Sequence, residues 1–314
     1  MTENRRVEAL LFALALAPRL LYLAIARSPF ENYNWNLAGS LLTDGSLSIG
    51  GVKTTAFEPL YPLFLAASRF VTGDRWVGVQ AIQCALGAAG AVLLYRLAVT
   101  LTGRPRVGIA AATLYAIYPL MVRYAVNISD ATLMTVLVLA FALEFTGVET
   151  RARAARAGAW LGLMMLTRAM TLPLVCSSVL LWRAGRRQGA AVFTATALLV
   201  AAPYGLRNYA LNGWMLPTRG GLNLFLSNCL YTARLMPDFG LDLLEDYAHQ
   251  MLERRVPAVG VPSPRLERME DEVYTRLALE HMESDPAGTI RMRLLSLWYF
   301  FSPTLVPYHD PTVD

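Results

Sequence analysis

The sequence predicts an all-α polytopic membrane protein, and three observations predict it. Of its 314 residues, 55% are hydrophobic and only 16% charged, against about 25% charged in an ordinary soluble domain. Mean hydropathy is +0.40, and apolar runs of span length recur along the chain. Ten arginines fall in alternate loops between those runs, and Lys53 is the only lysine. Such a composition excludes a disordered chain, a collagen and a nucleic-acid module. The formal charge of +5 is therefore read as membrane orientation. Cys84, Cys176 and Cys229 stand far apart, with neither a disulfide framework nor metal-ligand spacing.

Taken in order, the first run, Val7 to Ala26, follows Arg5-Arg6 and continues past Pro18-Arg19. About 20 residues is a span rather than a signal-peptide core of 7–15, so a retained anchor is expected. Trp76–Leu101, Val107–Val122, Ala131–Val148 and Gly189–Tyr204 read as further spans. Ala157–Trp182 differs, because Thr167-Arg168 and Pro173 interrupt it. With the N-terminus in the cytoplasm, Arg5 and Arg6, Arg104 and Arg106, Arg151, Arg153 and Arg156, and Arg183, Arg186 and Arg187 all fall inside. Ala157–Trp182 must then enter and return as two short or re-entrant helices buried against protein, with Arg168 near the far turn.

Two hydrophilic stretches are left outside. The first outer loop, 28–75, holds an amphipathic piece, Leu60–Val71, too short to span. The second, 207–293, holds 12 of the 23 acidic residues between Asp238 and Asp285. Leu241, Leu244, Ala248 and Met251 repeat at helical spacing, as do Leu266, Met269, Val273 and Leu277, with Pro257, Pro262 and Pro264 breaking the two helices. The expected organisation is a transmembrane bundle over 1–206, including loop 28–75, and an external helical segment over 207–293. Residues 294–314 then start a further membrane segment, interrupted by Pro303 and Pro307: a final half-span, or the opening of more spans.

Soluble-enzyme signatures are absent: there is no P-loop, His-Glu-x-x-His, Cys-x-x-Cys or Asp-x-Asp, so neither metal nor cofactor is expected. His249, His281 and His309 are isolated surface residues. Gly158-x-x-x-Gly162 is a helix-packing motif. The informative feature is polar residues at the outer ends of the apolar runs: Glu31, Glu58, Arg123, Asp130, Arg168 and Arg207-Asn208. Ionisable groups at membrane depth are costly and mark functional sites. The competing reading is that arginines at helix ends snorkel to the interface, and for Arg69 and Arg75 that reading prevails.

The order of short motifs then resembles a family. An acidic residue after the first span is followed by Tyr33-x-Trp35-x-x-Ala38, Leu41-Leu42-Thr43-Asp44-Gly45, Glu58-Pro59-Leu60-Tyr61-Pro62 and Gln80-x-x-Gln83. Later come Tyr118-Pro119, Leu166-Thr167-Arg168, Pro203-Tyr204-x-x-Arg207-Asn208-Tyr209 and Gly220-Gly221-x-Asn223. Together they resemble the GT-C glycosyltransferases of the dolichyl-phosphate-mannose protein mannosyltransferase and aminoarabinose transferase superfamily. The resemblance implies a GT-C-like helical bundle with a large first outer loop and a small external helical segment. It implies an inverting enzyme that moves a sugar from a polyprenyl-phosphate donor to a lipid, polysaccharide or protein acceptor outside the cytoplasmic membrane.

By the same resemblance the base is an acidic residue of the first outer loop. Glu31 matches it, although Asn32 stands where the family often has a second acid. Asp130 and Glu58 are the alternative carboxylates. A positioned carboxylate taking the acceptor proton contributes typically 10²–10⁴-fold, and a fixed guanidinium stabilises the departing phosphate. Arg168 and Arg207 are expected on that phosphate, with Glu58, Tyr61, Arg123 and Asn208 completing the substrate-binding set. Membrane lipid is the surrounding partner. A transporter or lipid flippase would need paired broken helices in inverted repeats, and one broken segment is visible. A shortened, non-catalytic relative is the other rival.

The arginine tally has a direct check. A cysteine placed at Asp246 should react with a membrane-impermeant thiol reagent in intact cells, whereas one at Arg104 should not; the reverse pattern overturns the orientation.

Overall fold

The computed structural model describes residues 3–26, 33–229, 231–232, 241–256 and 261–301. The chain packs as two units, one of residues Met1–Lys53 and Glu58–Arg207, the other of Thr54–Phe57 and Asn208–Asp314. The fold is that of an all-α polytopic membrane protein.

The first unit opens with α1 (Glu3–Ile25) and α2 (Tyr33–Asp44), then the hairpin β1 (Ser48–Ile49) and β2 (Val52–Lys53). Helices α3 (Leu60–Thr72), α4 (Trp76–Thr102), α5 (Pro105–Ile117), α6 (Pro119–Val126), α7 (Ala131–Thr146) and α8 (Arg151–Thr167) follow. A 3₁₀ stretch, Ala169–Ser177, leads to α9 (Ser178–Arg183) and α10 (Arg187–Asn212). Among the described residues α1, α4 and α10 are long and apolar enough to cross a membrane, and α5 with α6 makes a fourth such segment, bent by 57°. The apolar run expected through Val148 is helical only to Thr146. At about 1.5 Å per residue, α7 is shorter than a hydrocarbon core of about 30 Å.

Local chemistry explains the breaks. Pro119 disfavours helical backbone at the residue before it, and Tyr118 accordingly sits at φ −64°, ψ 119°. The β1–β2 turn lies inside the loop read as largely hydrophilic. It is made by Gly50 and Gly51, both at positive φ (58° and 80°), as a tight two-residue hairpin turn requires. Arg168 leaves α8 in an extended conformation, and Pro173 sits within the 3₁₀ stretch. The expected interruption of 157–182 is thus a helix that stops at Thr167.

A break in an apolar helix frees carbonyls that no water can reach. The bend after α5 frees Ala116, and Arg19, fully buried on α1, supplies the donor: Nη1 lies 3.2 Å from Ala116 O and 2.6 Å from Ala15 O. Its guanidinium also lies over the Tyr115 ring, 5.2 Å from the centroid. The C-terminal carbonyls of α6 are met by two amides of α4. Gln80 Nε2 donates to Val126 O at 2.9 Å, and Gln83 Nε2 to Asn127 O at 2.7 Å and Ala125 O at 3.3 Å.

Packing along α8 runs through Gly158 and Gly162. A Cβ at Gly158 would come within 2.3 Å of Phe193 O, and one at Gly162 within 2.8 Å of Ala197 O. The backbones of α8 and α10 meet there, as the small-residue motif predicts. Ala154, Ala157, Leu161, Phe193 and Ala197 form the buried core around the seam.

In the second unit, α11 (Gly220–Asn228), α12 (Leu241–Arg255), α13 (Pro264–Ser284) and α14 (Pro286–Phe301) are helical. Ser263 caps α13, its hydroxyl accepting from Leu266 N, and Pro264 takes the first helical position. Phe225, Leu244, Ala248, Tyr274, Leu277 and Ala278 form the core. Met269, expected on the apolar stripe of α13, is instead exposed. The buried face turns through Tyr274, Leu277 and Ala278, where α11 approaches closely enough for Gly221 N to donate to Asp271 Oδ1 at 2.6 Å. The strap 54–57 is fastened to the same unit. Thr55 donates from N and Oγ1 to Glu267 Oε2 at 2.8 and 2.9 Å, and its carbonyl accepts from Thr218 N. Pro257 and residues 302–314 lie outside the described residues.

The α8–α10 seam predicts a steep cost for added volume. Gly158→Leu should lower stability in detergent by about 1–3 kcal/mol, read as unfolding midpoint. Gly220→Ala, where a Cβ meets nothing within 4 Å, should leave it nearly unchanged.

Candidate functional site

Three residues far apart in sequence converge at one end of the first unit. Asp130 ends the loop between α6 and α7, and Arg168 caps α8. Arg168 Nε donates to Asp130 Oδ2 at 2.6 Å and Nη2 to Oδ1 at 2.9 Å, a bidentate pair that fixes the guanidinium plane. Glu58, just ahead of α3, accepts the next amide: Ala169 N lies 2.9 Å from its Oε1. One carboxylate thus holds the side chain of Arg168 and another the main chain beside it. Asp130 uses two of the five guanidinium N–H groups, and the Arg168 side chain is 45% exposed. The remaining donors can meet an anion.

The loop that carries Asp130 is held from below. Gln83 binds the Asn127 carbonyl, and Tyr61, on α3, donates from its hydroxyl to Gln83 Oε1 at 2.7 Å. Tyr61 is buried, so this hydroxyl is directed at protein. Ile128 packs in one cluster with Trp35, Tyr61, Leu65 and Val79. Trp35 of α2 stacks on Trp76 with centroids 3.7 Å apart. The Arg69 guanidinium lies 4.2 Å from the Trp35 ring centroid, and its Nη1 donates to Trp35 O at 2.7 Å. Arg69 therefore braces α2. Beside this cluster, Leu20, Leu23, Ala24 and Ala26 of the first span face Trp76, Val77 and Gln80 across an apolar groove of about 560 Å³.

The other sequence-derived residues are placed differently. Arg123 is exposed on α6, one turn before the Asp130 loop. Arg207 donates from Nη2 to Leu47 O at 3.3 Å and lies 5.8 Å from the Tyr204 ring centroid. Asn208 is fully buried. Glu31 lies outside the described residues. The sequence motif Gln80-x-x-Gln83 carries no role by itself, and Arg19 does not stand out within its apolar run. The signal was present in both cases: polar side chains on one face of an otherwise apolar helix have to be answered by some buried partner.

Burial pushes the Glu58 carboxyl above its ordinary range, against the Ala169 N–H that favours the charged form; the Asp130 charge adds to the rise and Arg168 opposes it. The folded state therefore holds this proton more tightly than the unfolded chain. Stability should fall as pH rises from 4.5 through the raised folded value. Glu58→Gln, which has no charge to bury, should gain stability relative to the parent over that window. Unfolding midpoints measured in detergent from pH 4.5 to 8 read the difference; a constant gap overturns it.

What these elements define is a helical membrane protein with a carboxylate–guanidinium site where its broken segments end. Residues 55–206 match the family model described as dolichyl-phosphate-mannose-protein mannosyltransferase. The resemblance drawn from the motifs is borne out: over these residues the chain is similar to the GT-C-like mannosyltransferases, and the match supports a membrane glycosyltransferase in general. No curated protein and no solved structure matches the chain.

Proposed function

We propose that the protein transfers a sugar from a polyprenyl-phosphate donor to an acceptor hydroxyl on the outer side of the cytoplasmic membrane, with inversion at the anomeric carbon. The observation that carries this reading is Arg168, clamped by Asp130 and Glu58 where the broken segment turns. A phosphate leaving with its lipid gains negative charge, and a guanidinium already held in place stabilises it without reorganising. The apolar groove beside Gln80 suits a lipid-linked donor. Arg207 serves the same phosphate from α10, and Arg123 and Asn208 remain in the proposed substrate-binding set. Tyr61 acts through Gln83 on the Asp130 loop. The N-terminus and the arginine-rich loops face the cytoplasm.

Glu31 is the proposed base. By the resemblance it is the acidic residue that follows the first span; in sequence it stands four residues before Trp35, which packs with Tyr61 and Ile128. Asp130 is the poorer base because both its carboxylate oxygens are already engaged by the Arg168 guanidinium. The acceptor hydroxyl gives its proton to Glu31 as its oxygen bonds the anomeric carbon, and the bond to the phosphate oxygen breaks with the electron pair leaving on the phosphate.

Transfer from a radiolabelled polyprenyl-phosphate sugar in liposomes separates the roles. Glu31→Gln should lower kcat at least a hundredfold at nearly unchanged donor KM. Arg168→Ala should weaken donor binding by about 1–3 kcal/mol, and Asp130→Asn should raise donor KM by freeing Arg168. If Glu31→Gln keeps full activity while Asp130→Asn abolishes turnover, Asp130 is the base.

A further inference from the structure

The opposite end of the same bundle carries a cleft that sugar transfer does not use. It is a cavity of about 500 Å³ between the α7–α8 and α9–α10 turns, lined by residues 148–151 and 185–189. Arg151, Arg186 and Arg187 line it together with a single acid, Glu149. Each arginine is held by a neutral group. Arg151 Nε donates to Gln188 Oε1 at 3.1 Å, Arg186 Nη1 donates to Val148 O, and Arg187 lies over the Trp182 ring, 5.2 Å from its centroid. Two residues further along α8 the pattern reverses, for Arg153 and Arg156 both pair with Glu144. Among the described residues the three cleft arginines form no ion pair, so their charge is left for something else.

Two further features say what that is. Helices α8 and α10, of 17 and 26 residues, both begin at the cleft, and their N-terminal amides add positive potential there. On α9, beside it, Val179, Leu180 and Trp182 are all more than half exposed, an apolar strip that points to acyl chains rather than to a free anion. We propose that this cleft binds the phosphate of an anionic phospholipid whose chains lie along α9, at the membrane face opposite Arg168. Basic pockets between membrane helices hold anionic head groups in this way.

The test uses the full chain in a neutral detergent, with retained lipid read by native mass spectrometry. Phosphatidylglycerol should be retained and phosphatidylcholine should not. Arg151→Gln/Arg187→Gln should cut retention at least tenfold. Arg104→Gln/Arg106→Gln, with the same charge change at another arginine-rich turn, should leave it unchanged. Arg187→Gln alone, the milder change, should cut retention at least threefold with the unfolding midpoint kept. Equal retention of phosphatidylcholine, or an equal loss in the Arg104/Arg106 variant, overturns the site. Displacement of phosphatidylglycerol by equimolar inorganic phosphate overturns the lipid and leaves a free-anion site.

Discussion

In a hydrocarbon medium every main-chain carbonyl released by a helix break must find a protein donor, and the first unit is arranged around meeting that demand. Its bent pair α5–α6 and the loop to α7 release carbonyls at Ala116, Ala125, Val126 and Asn127, and the donors are Arg19, Gln80 and Gln83. Left unmet, each such group costs roughly 1–3 kcal/mol, a penalty that the three polar side chains remove at these carbonyls. The same amides set where the loop lies. Asp130 closes that loop, and the site inherits its position from a backbone repair.

Charge is distributed unequally between the two ends of α8. At its C-terminal end the guanidinium of Arg168 is neutralised by Asp130, with Glu58 on the adjacent amide. Near its N-terminal end some arginines are neutralised by Glu144, whereas others meet only uncharged groups and keep their charge. About 25 Å of helix therefore joins a balanced site to an unbalanced one. Exposed pairs contribute at most about 1 kcal/mol to stability, so this inequality matters for ligands more than for the fold.

Much of this was legible in the residues because apolar length, glycine spacing and proline position act locally. The long runs at Trp76 and Gly189, the interruption at Arg168 and the Gly158-x-x-x-Gly162 contact all follow from such local rules. Glu58, Asp130 and Arg168 were each picked out, but their meeting was not, since the bonds joining them span 38 and 111 residues. The helical face of α13 was misjudged at Met269 because α11, brought in close at Gly221, decides which side is covered. The Gly50-Gly51 turn was readable as a hairpin signal, yet the strands around it are two residues each, too short for alternation to register. Tyr61 entered the substrate-binding set through its family motif, and its hydrogen bond to Gln83 on α4 depends on packing between two helices that no local pattern records.

The donor on Arg19 is separated from the carbonyl it serves by 97 residues. At a synthesis rate of roughly 5–20 residues per second, the guanidinium exists for on the order of 5–20 s before Ala116 is made. During that interval α1 has a cation on an apolar helix with its final partner still unsynthesised. Arg19 sits six residues from the end of α1, about 9 Å, within reach of the interface for a long side chain that stretches toward water. Synthesis order therefore puts α1 ahead of the contact that buries Arg19, and until that contact exists water near the helix end is the partner within reach of the side chain.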